Sequence, residues 1–266
     1  MPGRIMIAQV AREVLYQAWR FGGRIGGRVP ARGPERVTLL VPAYHAQRSR
    51  NIDPLVRAAL RCDVVERVVI SNHNPSTRMA EIVTVRDPRV ELIDTAVRRG
   101  CGHIWSVIAQ RPGAFFLVVD DDQLLAPAQI TALASALVAD PSVPHGLCGG
   151  NSDGTYLERC EAEVDVLYNV YAVTREHVAT FHRLSQQVMA EGRVTPEEIE
   201  QSCDDLVISR TGAGRARIHD AGFLLRCRTG GMPGVAIFRE AGFDERRHRC
   251  DTALRALVTG ARSSEF

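Results

Sequence analysis

An apolar run ends abruptly in three acids, Phe115-Phe116-Leu117-Val118-Val119-Asp120-Asp121-Asp122, and no other stretch constrains the fold as much. A short, β-branched apolar run before a polar, Pro-containing segment reads as a buried strand of a parallel sheet. Open α/β sheets bind ligands at the carboxyl ends of such strands. Three adjacent carboxylates repel one another, and a divalent cation or a cationic partner relieves that repulsion. Hard oxygen donors suit Mn2+ or Mg2+, ions that also grip a nucleotide diphosphate. The tip therefore predicts a metal–nucleotide site. Its plainer alternative is a cap for the helix expected from Pro127, with Asp122 as the capping acid.

Around that strand the pattern alternates. Val37 to Pro42 reads as a first strand, Ile52 to Leu60 as a helix and Glu66 to Ile70 as a second strand. A helical patch near Thr77 to Val83 leads to a short strand, Val90 to Ile93. The segment Val97 to Ala109 reads as a helix despite Gly100 and Gly102, and another helix runs from Pro127 to Val138. Strands alternating with helices imply βαβ units and a mostly parallel sheet, hence an α/β fold with a Rossmann-like half. After about Gly146 the pattern is less regular. Val170 to Val173 reads as a strand and Arg175 to Met189 as a helix. Pro196 to Val207 is another, with Thr195 as its cap and Pro196 at the first helical position. The Gly-rich segment from Arg226 to Asp244 has the character of a lid.

The 33 basic residues are all Arg, since the chain has no Lys. This excludes a Lys-dependent phosphate loop and Schiff-base chemistry, so Arg and metal would have to neutralise any bound phosphate. A net charge of +2 in 266 residues gives no support for nucleic acid as a partner. The seven cysteines are dispersed without C-x-x-C, which argues against zinc, and their odd number favours a reducing compartment while leaving room for one internal pair. No apolar stretch is long enough to span a membrane and no tidy signal peptide occurs, so a cytoplasmic location is expected. Residues 1–36 carry Ile7, Val10, Ala11, Val14, Leu15 and Ala18 at helical spacing, then a Gly/Arg linker. Two readings stand for this arm. One is a helix packing on the domain or on a second subunit, and the other a helix lying on an anionic membrane surface as a peripheral contact.

A Rossmann-like half ending in V-V-D-D-D resembles the GT-A class of nucleotide-sugar glycosyltransferases, whose D-x-D motif holds the donor's metal. Ser202-Cys203-Asp204-Asp205-Leu206 resembles the N-C-[ED]-D-I segment of the exostosin-type enzymes, glycosyltransferase family 64. Arg247-His248-Arg249-Cys250 is similar to that family's R-x-x-C segment, and V-T-L-L-V-P-A-Y to its opening strand. The resemblance covers roughly 37–262. It implies one GT-A domain with a nucleotide-sugar-binding half at 37–145 and a mixed, acceptor-binding half at 146–266. The implied activity is metal-dependent, UDP-sugar-using glycosyl transfer to a carbohydrate or other hydroxyl acceptor, with retention of anomeric configuration.

Carried over by position, the resemblance makes Asp122 and Asp120 the ligands of Mn2+ or Mg2+, and Asp120 with Asp121 donor contacts. Tyr44, Asn72, Asn74, Arg98 and Arg99 would also face the donor. Asp205 matches the family's carboxylate beside the reacting sugar, with Asp204 next to it, and Arg247 its late diphosphate arginine. The family pairs the cysteines matching Cys203 and Cys250, while their redox state here is left open. Two alternatives keep the fold, an inverting family-2-type transferase with Asp205 as base and a sugar nucleotidyltransferase. A third, from another class, is a non-catalytic nucleotide-binding scaffold assembling through 1–36.

Overall fold

A computed structural model describes residues 13–19, 27–192, 194–227 and 237–263. The strands in chain order are β1 (Val37–Ala43), β2 (Val65–Asn72), β3 (Val90–Asp94), β4 (Phe115–Val119), β5 (Gln123–Leu124), β6 (His145–Gly146) and β7 (Cys148–Gly150). They continue with β8 (Tyr156–Glu158), β9 (Ala162–Val164), β10 (Val166–Leu167), β11 (Val170–Thr174), β12 (Ala216–Ile218) and β13 (Leu225–Arg226). The helices are α1 (13–19), α2 (Ile52–Leu60), α3 (Met79–Ile82), α4 (His103–Ala109) and α5 (Pro127–Ala139). After them come α6 (Arg175–Ala190), α7 (Pro196–Glu198), α8 (Asp204–Ile208) and α9 (Phe243–Ser263).

Eight strands form one sheet in the order β3-β2-β1-β4-β11-β6-β12-β9, with β1 to β4 mutually parallel and β11 antiparallel to β4. The sheet thus takes strands from both halves of the chain. Every residue of β1 is buried because helices cover both faces. Leu39 and Val41 enter one core with Leu55 of α2 and Leu133 of α5, whereas Leu40 enters the other with Trp105 of α4 and Phe181 of α6. That split follows from side chains alternating across a strand. β4 pairs β1 only as far as Leu40, so the carboxyl ends of the two strands part there. Pro42, which has no N–H to donate, falls in the stretch that β4 no longer pairs.

Several expected elements are shorter than their periodicity implies. The helix expected over 97–109 begins at His103, because the chain before it lies against Glu200. Gly100 N–H donates to Glu200 Oε1 at 2.6 Å and Gly102 N–H to Glu200 O at 2.8 Å. The helix expected over 196–207 is interrupted: α7 passes into a π-helical turn over Ile199–Cys203 before α8. Thr195 caps α7 through the Glu198 N–H as expected. In the amino-terminal arm, α1 packs on the domain. Tyr16 donates to Asn51 Oδ1 at 2.7 Å and Trp19 Nε1 to Leu125 O at 3.1 Å. The rest of the predicted arm helix (1–12), most of its linker (20–26) and the middle of the predicted lid (228–236) lie outside the described residues. Among the described residues no helix is long and apolar enough to cross a membrane.

Candidate active site at the acidic tip

The three acids leave β4 on the tight turn into β5, and each meets different company. Asp121 is buried. Its Oδ1 accepts from Arg48 Nη1 at 3.0 Å and its Oδ2 from the Tyr44 N–H at 3.3 Å. Burial is the stronger effect, raising the Asp121 pKa to about 6 against the pull of Arg48. Asp122 accepts from Gln123 Nε2 at 2.8 Å and lies 3.3 Å from Arg48 Nη2. No described residue donates a hydrogen bond to the Asp120 carboxylate. Its pKa is driven well above the usual carboxylate range by burial, then by Asp122, Asp121 and Asp204, with Arg48 opposing. The acid tip was legible in the sequence, but Arg48 was not. A single Arg after β1 has no pattern of its own, and its partners lie over seventy residues away.

The second acid pair stands at the start of α8, where the π-helical turn delivers it. Asp204 is buried and accepts from Trp105 Nε1 at 3.1 Å and from the Cys101 thiol at 3.4 Å. Burial and the neighbouring Asp205 hold its pKa up at about 7. Asp205 pairs with Arg247 Nη1 at 2.5 Å, and that nitrogen also donates to Ser202 O at 2.8 Å. The Phe243 ring lies 5.2 Å from the Arg247 guanidinium carbon, so the late arginine is fixed from two sides. The structure therefore brings Asp205 and Arg247 together, and the charge of Asp204 reaches Asp120. Trp105, expected as core, is fully buried, yet its indole N–H serves the site. Cys203 and Cys250 are both buried free thiols in contact with each other.

On the β1–β3 side, Arg98 donates to the Tyr44 hydroxyl at 2.5 Å with its guanidinium carbon 4.8 Å from the ring centroid. Arg99 is 3.8 Å from Glu200. The two asparagines serve the loop itself. Asn72 Nδ2 donates to Thr77 O at 2.7 Å and Asp94 Oδ1 at 2.8 Å, while Asn72 Oδ1 accepts the Asn74 N–H and Asn74 Oδ1 the Ser76 N–H. These are turn-forming contacts within the loop after β2.

Among the described residues, no three His, Cys, Asp or Glu side chains converge as a ready metal cage. An ion shared with a nucleotide typically takes one or two protein carboxylates and completes its shell with phosphate and water. The Asp120 carboxylate, next to Asp122, is crowded by like charge, and no described residue donates to it.

No protein-family pattern matches the chain, and no curated protein does. Solved structures do share the fold. GalNAc-T7, determined with UDP, GalNAc and Mn2+, superposes with a TM-score of 0.55 at 11% identity, covering 80% of this chain and 48% of that one. S. aureus TarS 1–349 in complex with UDP-GlcNAc gives 0.56 at 16% identity, covering 82% and 66%. The chain spans about half the length of the first and two thirds of the second. The mixed α/β architecture with its large, mostly parallel sheet is thus that of the GT-A glycosyltransferases.

Proposed function

We propose that this chain moves a glycosyl group from a UDP-sugar to a hydroxyl acceptor, with retention of anomeric configuration. The observation that carries the reading is the meeting, at the carboxyl end of β4 in a GT-A sheet, of the acid tip with the Asp204–Asp205–Arg247 cluster. The contact of Cys203 with Cys250, and of Asp205 with Arg247, also supports the exostosin-type resemblance, because its two segments come together in space.

Glycosyl transfer breaks the bond from the anomeric carbon to the phosphate oxygen and leaves negative charge on UDP. Arg247, held by Ser202 and Phe243, would meet that charge with little reorganisation. Asp205 is held by the same guanidinium, which suits orienting an acceptor hydroxyl more than taking its proton. In a same-face displacement the departing phosphate oxygen takes that proton. Tyr44 with Arg98 would flank the nucleoside. Asp120 and Asp122 would hold Mn2+ or Mg2+, whose chemistry is to neutralise the diphosphate as it leaves.

Calorimetric titration with UDP should show tighter binding with Mn2+ than without, and equal affinities would remove the metal from the account. Donor hydrolysis should fall in Asp122→Asn; release of UDP at the same background rate by variant and wild type defeats the enzyme reading. NMR of the product's anomeric proton should show retention, and an inverted product would instead make Asp205 the base.

A further inference from the structure

On the other side of β4 from Tyr44 lies a polar and aromatic cluster that the steps above do not use. Tyr156 and Glu158 come from β8, Tyr168 from the turn between β10 and β11, and Arg226 from β13. The two tyrosine rings lie nearly parallel, 9° apart with centroids 6.2 Å apart. The Tyr156 hydroxyl donates to Glu158 Oε2 at 2.8 Å and accepts from Arg226 Nη2, which also reaches Glu158 Oε2 at 2.7 Å. The Arg226 guanidinium carbon is 5.4 Å from the Tyr156 ring centroid. Despite this company Tyr156 is 49% exposed. Among the described residues nothing accepts from the buried Arg226 Nε, a donor that native structures ordinarily satisfy.

The backbone ties this cluster to the reacting groups on both sides. Arg226 is in register with Gln123, and the next residue, Cys227, donates its N–H to Asp122 O at 2.7 Å. Tyr168 precedes Asn169, whose carbonyl accepts the Asp120 N–H at 2.9 Å. Burial raises the Tyr168 pKa, with Asp205 adding to the rise and Arg247 opposing it, so the phenol stands within the field of that ion pair. Gly150 of β7 makes room for Tyr168, since a Cβ there would fall 2.7 Å from its hydroxyl oxygen.

We infer that Tyr156 and Tyr168, edged by Arg226 and Glu158, form the acceptor subsite, and that the acceptor is a carbohydrate whose pyranose ring lies on Tyr156. This rests on the glycosyl-transfer reading. A pyranose presents an apolar C–H face and a rim of hydroxyls that both donate and accept. A half-exposed flat ring takes the face, while a guanidinium and a carboxylate at its edge offer one donor and one acceptor to the rim.

The test uses the full chain and saturation-transfer NMR with methyl glycosides of glucose, galactose and N-acetylglucosamine, and N-acetylserinamide as a non-carbohydrate hydroxyl. Titrations run with and without UDP and Mn2+, beside calorimetry with UDP. At least one glycoside should receive saturation on its ring C–H protons. Tyr156→Ala should weaken that glycoside about tenfold and Tyr156→Phe by less than about threefold, the ring being the larger part of the contact. UDP affinity should be unchanged in both variants, which also reports that they fold. The inference is overturned if no glycoside binds, if only N-acetylserinamide does, or if Tyr156→Ala binds glycosides as wild type does. Loss of UDP binding by wild type defeats the donor reading alone, because the glycoside titration without UDP is read separately.

Discussion

Asp204 has two donors, the Trp105 indole N–H and the Cys101 thiol, and no guanidinium of its own. Burial, then Asp205, raises its pKa from 3.8 to about 7. In the unfolded chain the same carboxyl loses its proton near its ordinary value, so between these limits the folded state binds the extra proton. The associated stability is therefore full at low pH and is lost as pH rises through about 7. Asn in this place keeps the size, can accept from Trp105 and cannot ionise. Asp204→Asn should thus melt above wild type at about pH 8, by up to a few kcal/mol, with the gap closing towards about pH 5. A gap that is the same at both pH values would show that the cause is packing and not ionisation.

At the scale of elements, the approach of α4 to the π-helical turn is set by two glycines. A Cβ at Gly100 would sit 2.5 Å from Glu200 O, which is backbone and cannot swing aside. Gly100→Ala should destabilise the fold by about 1–3 kcal/mol, read as a lower urea midpoint at unchanged slope. Gly27→Ala is the control: among the described residues nothing lies within 4 Å of its Cβ, so its midpoint should hold. Equal midpoints for the two variants would mean that the chain before α4 yields freely. The same contact explains what the sequence could not reveal. Ile52–Leu60 and Pro127–Ala139 were legible because apolar period and, for the second, a proline in the first turn act within a few residues. The N-cap of the second, however, is Ala126 and not Asp122. The start of α4 depends on Glu200, a hundred residues on, and so the helical spacing from Val97 overran it. β5 to β10 are two or three residues each and exist only through the strands they pair with, as Gly149 with Leu167. Asp205 and Arg247 could be nominated by resemblance, whereas Arg48 and the Tyr156–Arg226 cluster have signals only in three dimensions.

Taken as a whole, the molecule gathers Asp120, Asp121, Asp122, Asp204 and Asp205 around Arg48 and Arg247. Five carboxyls share two guanidiniums in a poorly solvated place, and burial with mutual repulsion raises the pKa values of Asp120, Asp121 and Asp204. Ionising all five costs folding stability that a bound cation would offset. A ligand that binds only the folded chain adds about 2.7 kcal/mol at a hundred times its dissociation constant. UDP with Mn2+ should therefore raise the melting temperature more than UDP alone, and a chelator should remove only the difference. Asp120→Asn separates this from ordinary binding. Removing this carboxylate, which Asp122, Asp121 and Asp204 crowd against the weaker pull of Arg48, should raise the melting temperature of the free protein at a pH where it is ionised and abolish the Mn2+-dependent increment together. An increment as large in Asp120→Asn as in wild type would place the cation elsewhere. Loss of the increment without a rise in the free protein would mean that Asp120 already carries its proton, so that the metal must displace it and its effect should grow with pH.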